Sequence, residues 1–249
     1  MTVRLSAPDW CFWRDGTDPA TYYRALRELG FTGVEMVHPS RWQAARAAGL
    51  AILNLSGPGK TVGLNRLGLH AELLPLIRRE ITIAHDAKIP HVIVFSGNRD
   101  GQEDAVGRAN VVTALKALAS DAERAGVTLI FEMFNDQDHP DYQADNSAYG
   151  FAVAKSVGSP AVKVLYDLYH MSRMGEDVVA DITKNLDLIA HLHTAEMPKR
   201  SVPQKAGAIP YGMIVTAVMK AGYQGYWGTE FVVQGDVMSE LREAVQAFA

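Results

Sequence analysis

Residues 106–132 read VGRANVVTALKALASDAERAGVTLIFE. Up to residue 125 apolar side chains recur every three or four positions, the period of a helix that buries one face. Gly126 follows, where a helix ends most easily in a left-handed residue that costs glycine nothing. Thr128 to Glu132 then forms a short apolar run that predicts a buried strand ending on a carboxylate.

The same order repeats along the chain. Candidate strands fall at 3–6 (VRLS), 33–36 (GVEM), 51–54 (AILN), 91–96 (HVIVFS), 162–166 (VKVLY), 189–194 (IAHLHT) and 226–231 (YWGTEF), besides 128–132. Helical periodicity separates them, as in DPATYYRALRELG and HAELLPLIRREITIAHDAK, and Gly30, Gly49, Gly158 and Gly222 also precede strands. Eight strands in 249 residues give about 31 residues per unit, the size of one βα step. Alternation predicts a parallel sheet, and eight units predict a closed (β/α)8 TIM barrel rather than an open doubly wound sheet. No linker or composition shift divides the chain, so residues 1–249 are expected to form a single domain. The long non-helical stretches 55–69, 133–144 and 195–209 follow strands, at the face where such barrels build their sites.

Composition narrows the function. There are 24 basic and 28 acidic side chains, a formal charge of −4, which argues against a nucleic-acid or anionic-membrane partner held by bulk charge. Cys11 is the only cysteine, so an intrachain disulfide and any multi-thiolate metal site are excluded. It reads as a small buried hydrophobe. MTVRLSAPDW lacks the apolar core of a secretory signal, and no run is long enough to span a bilayer; the expected location is cytoplasmic. Gly59-Lys60-Thr61 resembles the end of a phosphate loop, but Asn54 stands where its first glycine belongs and no helix starts after the threonine. Dinucleotide-binding, HExxH and GxSxG patterns are absent.

Four metal-competent side chains end consecutive late strands: Glu132, Asp167, His193 and Glu230, spaced 35, 26 and 37 residues apart, one βα unit each. Alternation along a strand puts Glu132 on one face with Ile130 and Thr128, and Glu230 with Gly228, while Phe131 and Trp227 point toward the helices. All four are expected to converge at the barrel mouth. Three carboxylates and an imidazole suit one divalent cation, Mg²⁺ or Mn²⁺ ahead of Co²⁺ or Zn²⁺; without one the carboxylates would repel and take up protons. The plainer alternative is that strand-ending acids cap helices or meet solvent. His191, two residues before His193 and about 6.6 Å deeper, reads as a hydrogen-bonded histidine of the barrel interior. His170, three residues past Asp167, could hold a substrate oxygen. Glu35 ends the second strand on the inward face, either contacting substrate or supporting the site, or in a buried ion pair. Lys199 and Arg200 follow the seventh strand; Arg200 can fork onto a carboxylate or phosphate.

FEMFN, YDLYHMSRMGED, IAHLHTAEMPKR with downstream Pro203, Gly207 and Tyr211, and GYWGTEF together resemble the hydroxypyruvate isomerase family, within the xylose-isomerase-like barrels of sugar isomerases and ketose 3-epimerases. The likeness runs from about Leu5 to Val245. It implies that Glu132, Asp167, His193 and Glu230 hold the metal, that Glu132 and Glu230 move the proton, and that His170 and Arg200 contact substrate. His193 stands where close hydroxypyruvate isomerases carry Gln, as in the epimerases, and Ala208 replaces an acid of their pattern.

The expected activity is metal-dependent isomerisation of a small α-hydroxy carbonyl compound through an enediolate, such as hydroxypyruvate to tartronate semialdehyde. A ketose 3-epimerase or sugar isomerase, or a metal-dependent lyase or dehydratase, is the alternative; sugar binding without catalysis fits three gathered carboxylates less well. The related trinuclear-zinc endonucleases need further histidines where Asn54 and Ser96 stand, and a further Asp/His pair in a loop, 201–211, that holds neither. The expected partner is a small molecule, with homo-oligomerisation left open.

Overall fold

The computed structural model describes residues 3–249. Its contacts divide into two compact units. The first runs to Leu53 and resumes over Asp177–Leu186 and His191–Ala249; the second comprises Asn54–Glu176 and Asp187–Ala190.

The first unit is built on parallel strands in the order β3 (Ala51–Ile52), β2 (Gly33–Glu35), β1 (Arg4–Pro8), β9 (Tyr226–Thr229) and the part of β8 (Ile189–Thr194) from His191 onward. Its helices are α1 (Asp9–Phe12), α2 (Pro19–Glu28), α3 (Trp42–Ala47), α8 (Val178–Lys184), α9 (Tyr211–Lys220) and α10 (Val237–Ala247). The α2 start shows how sequence sets a boundary. Asp18 accepts from the Thr21 N–H at 2.8 Å, and Pro19, which lacks an N–H to satisfy, takes the first helical position. Tyr22, Tyr23 and Leu26 then bury one face. Trp227, fully buried, packs edge-on to Tyr223 and against Phe248 just after α10, away from the Gly228 face, as alternation requires.

The second unit carries parallel strands β4 (Asn54–Ser56), β5 (His91–Phe95), β6 (Thr128–Glu132) and β7 (Val162–Asp167), with α4 (His70–Ala87), α5 (Asp104–Ala125), α6 (Ser147–Val157) and α7 (Leu168–Arg173). On α5, Val111, Ala114, Leu115, Leu118 and Ala122 are fully buried at helical spacing. Removing one such leucine side chain costs about 2–5 kcal/mol. Gly126 ends the helix at φ 64°, and its N–H bonds back to Glu123 O.

The expected alternation is present. All five glycine stops have positive φ, and the stretches 133–144 and 195–209 contain neither helix nor strand apart from isolated bridges, whereas 55–69 starts on the last residues of β4 and closes on a 3-10 turn at Leu67–Leu69. Two further details differ. The run at 51–54 is interrupted at Leu53, whose N–H goes to Val34 O, so β3 pairs with β2 while β4 pairs with β5. Helix α4 ends in a left-handed Lys88 at φ 55°, a stop that no glycine marks. No helix among the described residues is long and apolar enough to cross a membrane.

Candidate metal and active site

Glu132, Asp167, His193 and Glu230 are all buried. The first three end β6, β7 and β8 or stand one residue before the end; Glu230 stands one residue past β9, where its N–H donates to Thr194 O at 2.9 Å.

In the first unit the geometry starts from small residues. Gly228 on β9 is in register with Ser6 on β1 and with His193 on β8. A Cβ on Gly228 would lie 2.4 Å from Glu35 Oε1 and 2.6 Å from the His193 ring. The missing side chain therefore opens a path for the Glu35 carboxylate, on β2, to reach β8. Glu35 Oε2 meets His193 Nε2 at 2.8 Å, Oε1 accepts from Ser6 Oγ at 2.6 Å, and Oε1 lies 3.0 Å from His191 Nε2. Burial alone would raise the Glu35 carboxyl, but the two imidazoles hold it well below the usual carboxylate range. The other ring nitrogen of His193, Nδ1, lies 3.1 Å from Glu230 Oε2, so each nitrogen of this ring faces a carboxylate oxygen. Glu35 is thus in a buried ion pair, with both oxygens engaged by side chains, and His191 has its expected interior place.

Glu230 has two further partners. Trp10 on α1, 53% exposed, donates its indole N–H to Oε1 at 2.8 Å, and the Arg200 guanidinium pairs with Oε2 while its Nε donates to Glu230 O at 3.2 Å. Burial pushes the Glu230 carboxyl up, but His193, Arg200 and Trp10 outweigh it and bring it to about 2. Asp9, beside Trp10, pins α1 by accepting from Tyr23 Oη at 2.6 Å and from Arg41. Arg200 sits in a left-handed conformation at φ 53° in the loop after β8. Glu196 braces that loop, accepting from the N–H groups of Met197 and Ile209 at 2.8 and 2.9 Å. Gly207 is required there, since a Cβ would fall 1.8 Å from Glu196 Oε2, and Tyr211 Oη donates to Ala195 O at 2.7 Å. The residues downstream of MPKR thus include the scaffold of the Arg200 loop. Cys11 is buried, and burial pushes its thiol up, which suits an inert hydrophobe.

In the second unit Asp167 Oδ1 caps α7, accepting from the N–H groups of Tyr169 at 2.8 Å and His170 at 3.3 Å. The capping alternative is therefore met by one oxygen; Oδ2 lies 3.6 Å from His170 Nε2. Asn135 reaches His170 from the loop after β6. Glu132 ends β6 opposite Leu165, with its carbonyl accepting from Tyr142 Oη at 3.1 Å. Phe131 stacks on Tyr149 of α6, so alternation turns Glu132 to the other face. Trp10 and Asn135 are the site residues that sequence reasoning did not select; Asn135 stands within FEMFN, and Trp10 directly follows the first strand.

The Xylose isomerase-like TIM barrel family model matches residues 23–248. The chain belongs to this family. The xylose isomerase-like barrel is 30% identical over 223 residues to the 2-oxo-tetronate isomerase of Cupriavidus necator, covering 84% of this chain and 85% of that one. It is 28% identical over 134 residues to the hydroxypyruvate isomerase of Escherichia coli, covering 54% and 52%. Among solved structures it resembles a family 2 AP endonuclease from Brucella melitensis (TM-score 0.83, 21% identity, 96% and 97% covered) and D-psicose 3-epimerase from Clostridium cellulolyticum (TM-score 0.79, 20% identity, 99% and 96% covered). Likeness at this identity establishes the fold of the xylose isomerase-like barrel, and the two sequence relatives are isomerases.

Proposed function

We propose that the protein is a divalent-metal-dependent isomerase of a small α-hydroxy carbonyl compound, with Glu132, Asp167, His193 and Glu230 holding the ion on a single barrel domain spanning 1–249. The observation that carries this reading is the His193 ring, with Nε2 on Glu35 and Nδ1 facing Glu230 at 2.8 and 3.1 Å. A carboxylate behind an imidazole, presenting its second nitrogen beside another carboxylate, is how proteins orient a metal-binding histidine. The donor types also fit, since carboxylates and an imidazole suit a divalent cation. Such an ion supplies positive charge against the negative charge that develops when a carbon next to a carbonyl loses its proton.

The chain's own residues do the rest. Glu132 and Glu230 take the proton from one carbon and return it to the next. His170 holds a substrate oxygen, and Arg200 meets an acid group. Glu35 acts through His193 rather than on substrate. The braced Arg200 loop favours a hydroxy-oxo acid such as hydroxypyruvate, giving tartronate semialdehyde. A neutral ketose epimerised at C3 is the second reading, favoured by His193 in place of Gln.

The test is to strip metal, reload Mg²⁺ or Mn²⁺, and follow hydroxypyruvate, C4 to C6 ketoses and 2-keto acids in deuterated water. Isomerisation conserves the carbon skeleton and its oxygens while placing deuterium on carbon; loss of water would indicate a dehydratase. Glu132→Gln and Glu230→Gln at saturating metal should each cut turnover by at least ~10². Full activity in stripped protein would overturn the metal reading.

A further inference from the structure

The second unit contains a hydrogen-bond chain that dictates where one site proton sits. It begins at the backbone. Asn135 Oδ1 accepts from the N–H groups of Gln137 at 3.1 Å and Asp138 at 2.8 Å. An amide N–H can only donate, so this oxygen is assigned by its partners, and the other end of the side chain must be the NH₂ group. That Nδ2 lies 3.0 Å from Asp138 Oδ2 and 2.6 Å from His170 Nδ1. The Asn135 backbone N–H also points at His170 Nδ1, at 3.2 Å. Two donors aimed at one ring nitrogen leave it no room for a proton of its own.

We infer that Asn135 is a positioning residue that fixes His170 in the tautomer protonated on Nε2, so that this histidine meets its partner as a hydrogen-bond donor. The ring cannot easily turn to escape. Phe134 and Tyr169 pack edge-on to it, with centroids 5.0 and 5.3 Å away, and His139 does the same at 5.3 Å while stacking on Phe134. Asp138, which holds the far side of Asn135, is itself held by Tyr169 Oη at 2.6 Å. The proton on Nε2 points to the side where Asp167 Oδ2 lies, 3.6 Å away, too far for a direct hydrogen bond. The ligand chemistry that suits this nitrogen is an accepting oxygen, a carbonyl or an oxygen gaining negative charge, rather than a group that must donate. That this oxygen belongs to the substrate rests on the function proposed above; the tautomer does not.

The test reads the proton directly. Metal-free full-length protein carrying ¹⁵N-histidine is examined by long-range ¹H–¹⁵N correlation near pH 8, with the His170 signals identified by their loss in His170→Gln. The expected spectrum has an unprotonated, acceptor-type Nδ1 and a protonated Nε2. A proton on Nδ1 overturns the inference whether or not the enzyme turns over any substrate. Asn135→Asp replaces one of the two donors by an acceptor of the same shape and should draw a proton onto Nδ1. It should also lower kcat about ten-fold or more without weakening Mn²⁺ binding. Retention of both the wild-type tautomer and the wild-type rate in a folded Asn135→Asp protein removes Asn135 from the role. If that variant does not fold, the wild-type spectrum decides alone. Failure of the isomerase reading would appear separately, as the expected tautomer in a protein that exchanges no substrate proton.

Discussion

Glu35 Oε2 lies 2.8 Å from His193 Nε2, although the two residues are 158 positions apart in the chain. The contact exists because Ser6 and Gly228 leave the intervening rows of the sheet nearly empty. It leaves Nδ1 as the His193 nitrogen that faces Glu230, 3.1 Å from its Oε2. Gln in place of Glu35 keeps the volume but cannot serve Ser6, His191 and His193 as a charged acceptor. Glu35→Gln should fold and should bind Mn²⁺ about 10–100-fold more weakly. Calorimetric titration of the stripped protein measures this, and an unchanged affinity would mean His193 needs no such support.

The same gap makes a prediction about stability. A Cβ at Gly228 would stand 2.4 Å from Glu35 Oε1, closer than carbon and oxygen can approach without movement. Gly228→Ala should cost about 1–3 kcal/mol in a urea unfolding experiment and weaken metal binding as well. A variant as stable as the parent would show that the pair has slack.

Arg200 is expected to report substrate class. If its guanidinium leaves Glu230 for the acid group of a substrate, deleting it leaves that charge unpaired, a loss of about 2–5 kcal/mol. Arg200→Ala should then raise KM steeply for hydroxypyruvate and little for neutral ketoses. Steady-state kinetics on both classes separates them; a wild-type preference for ketoses, with the variant indifferent, defeats the acid reading.

The pH dependence of the metal-free protein follows from Glu230, whose carboxyl falls from 4.5 to about 2 on folding. A carboxyl depressed in the folded state binds fewer protons there, so it contributes stability that is fully present above pH 4.5 and is lost as pH falls toward 2. The contribution is on the order of 3 kcal/mol. Thermal melts of stripped protein between pH 5 and pH 2 should fall more steeply for wild type than for Glu230→Gln. Parallel curves would show that the carboxyl titrates alike in both states.

Much of the fold was legible because it is written locally. Helical period, a glycine able to turn left-handed, and a short apolar strand are properties of neighbouring residues, and the stretch ending at Glu132 shows all three. Even so, Lys88 closes α4 in a conformation expected of glycine, and Leu53 splits a strand by bonding to Val34 of a neighbouring strand, which local preference does not specify.

The sequence by itself determined that four metal-competent side chains stand at strand ends or one residue from them, one βα unit apart. It left open whether Asp167 capped a helix, and the structure shows that one oxygen does. Only tertiary structure decided that Glu35 belongs to His193, that Trp10 and Arg200 share Glu230, and that Asn135 sets the proton of His170. Those contacts join different loops and strands, and their direction depends on which side chains between them are missing. A hydrogen bond is specific to a few tenths of an ångström, a precision that packing creates and that no periodicity in the chain encodes.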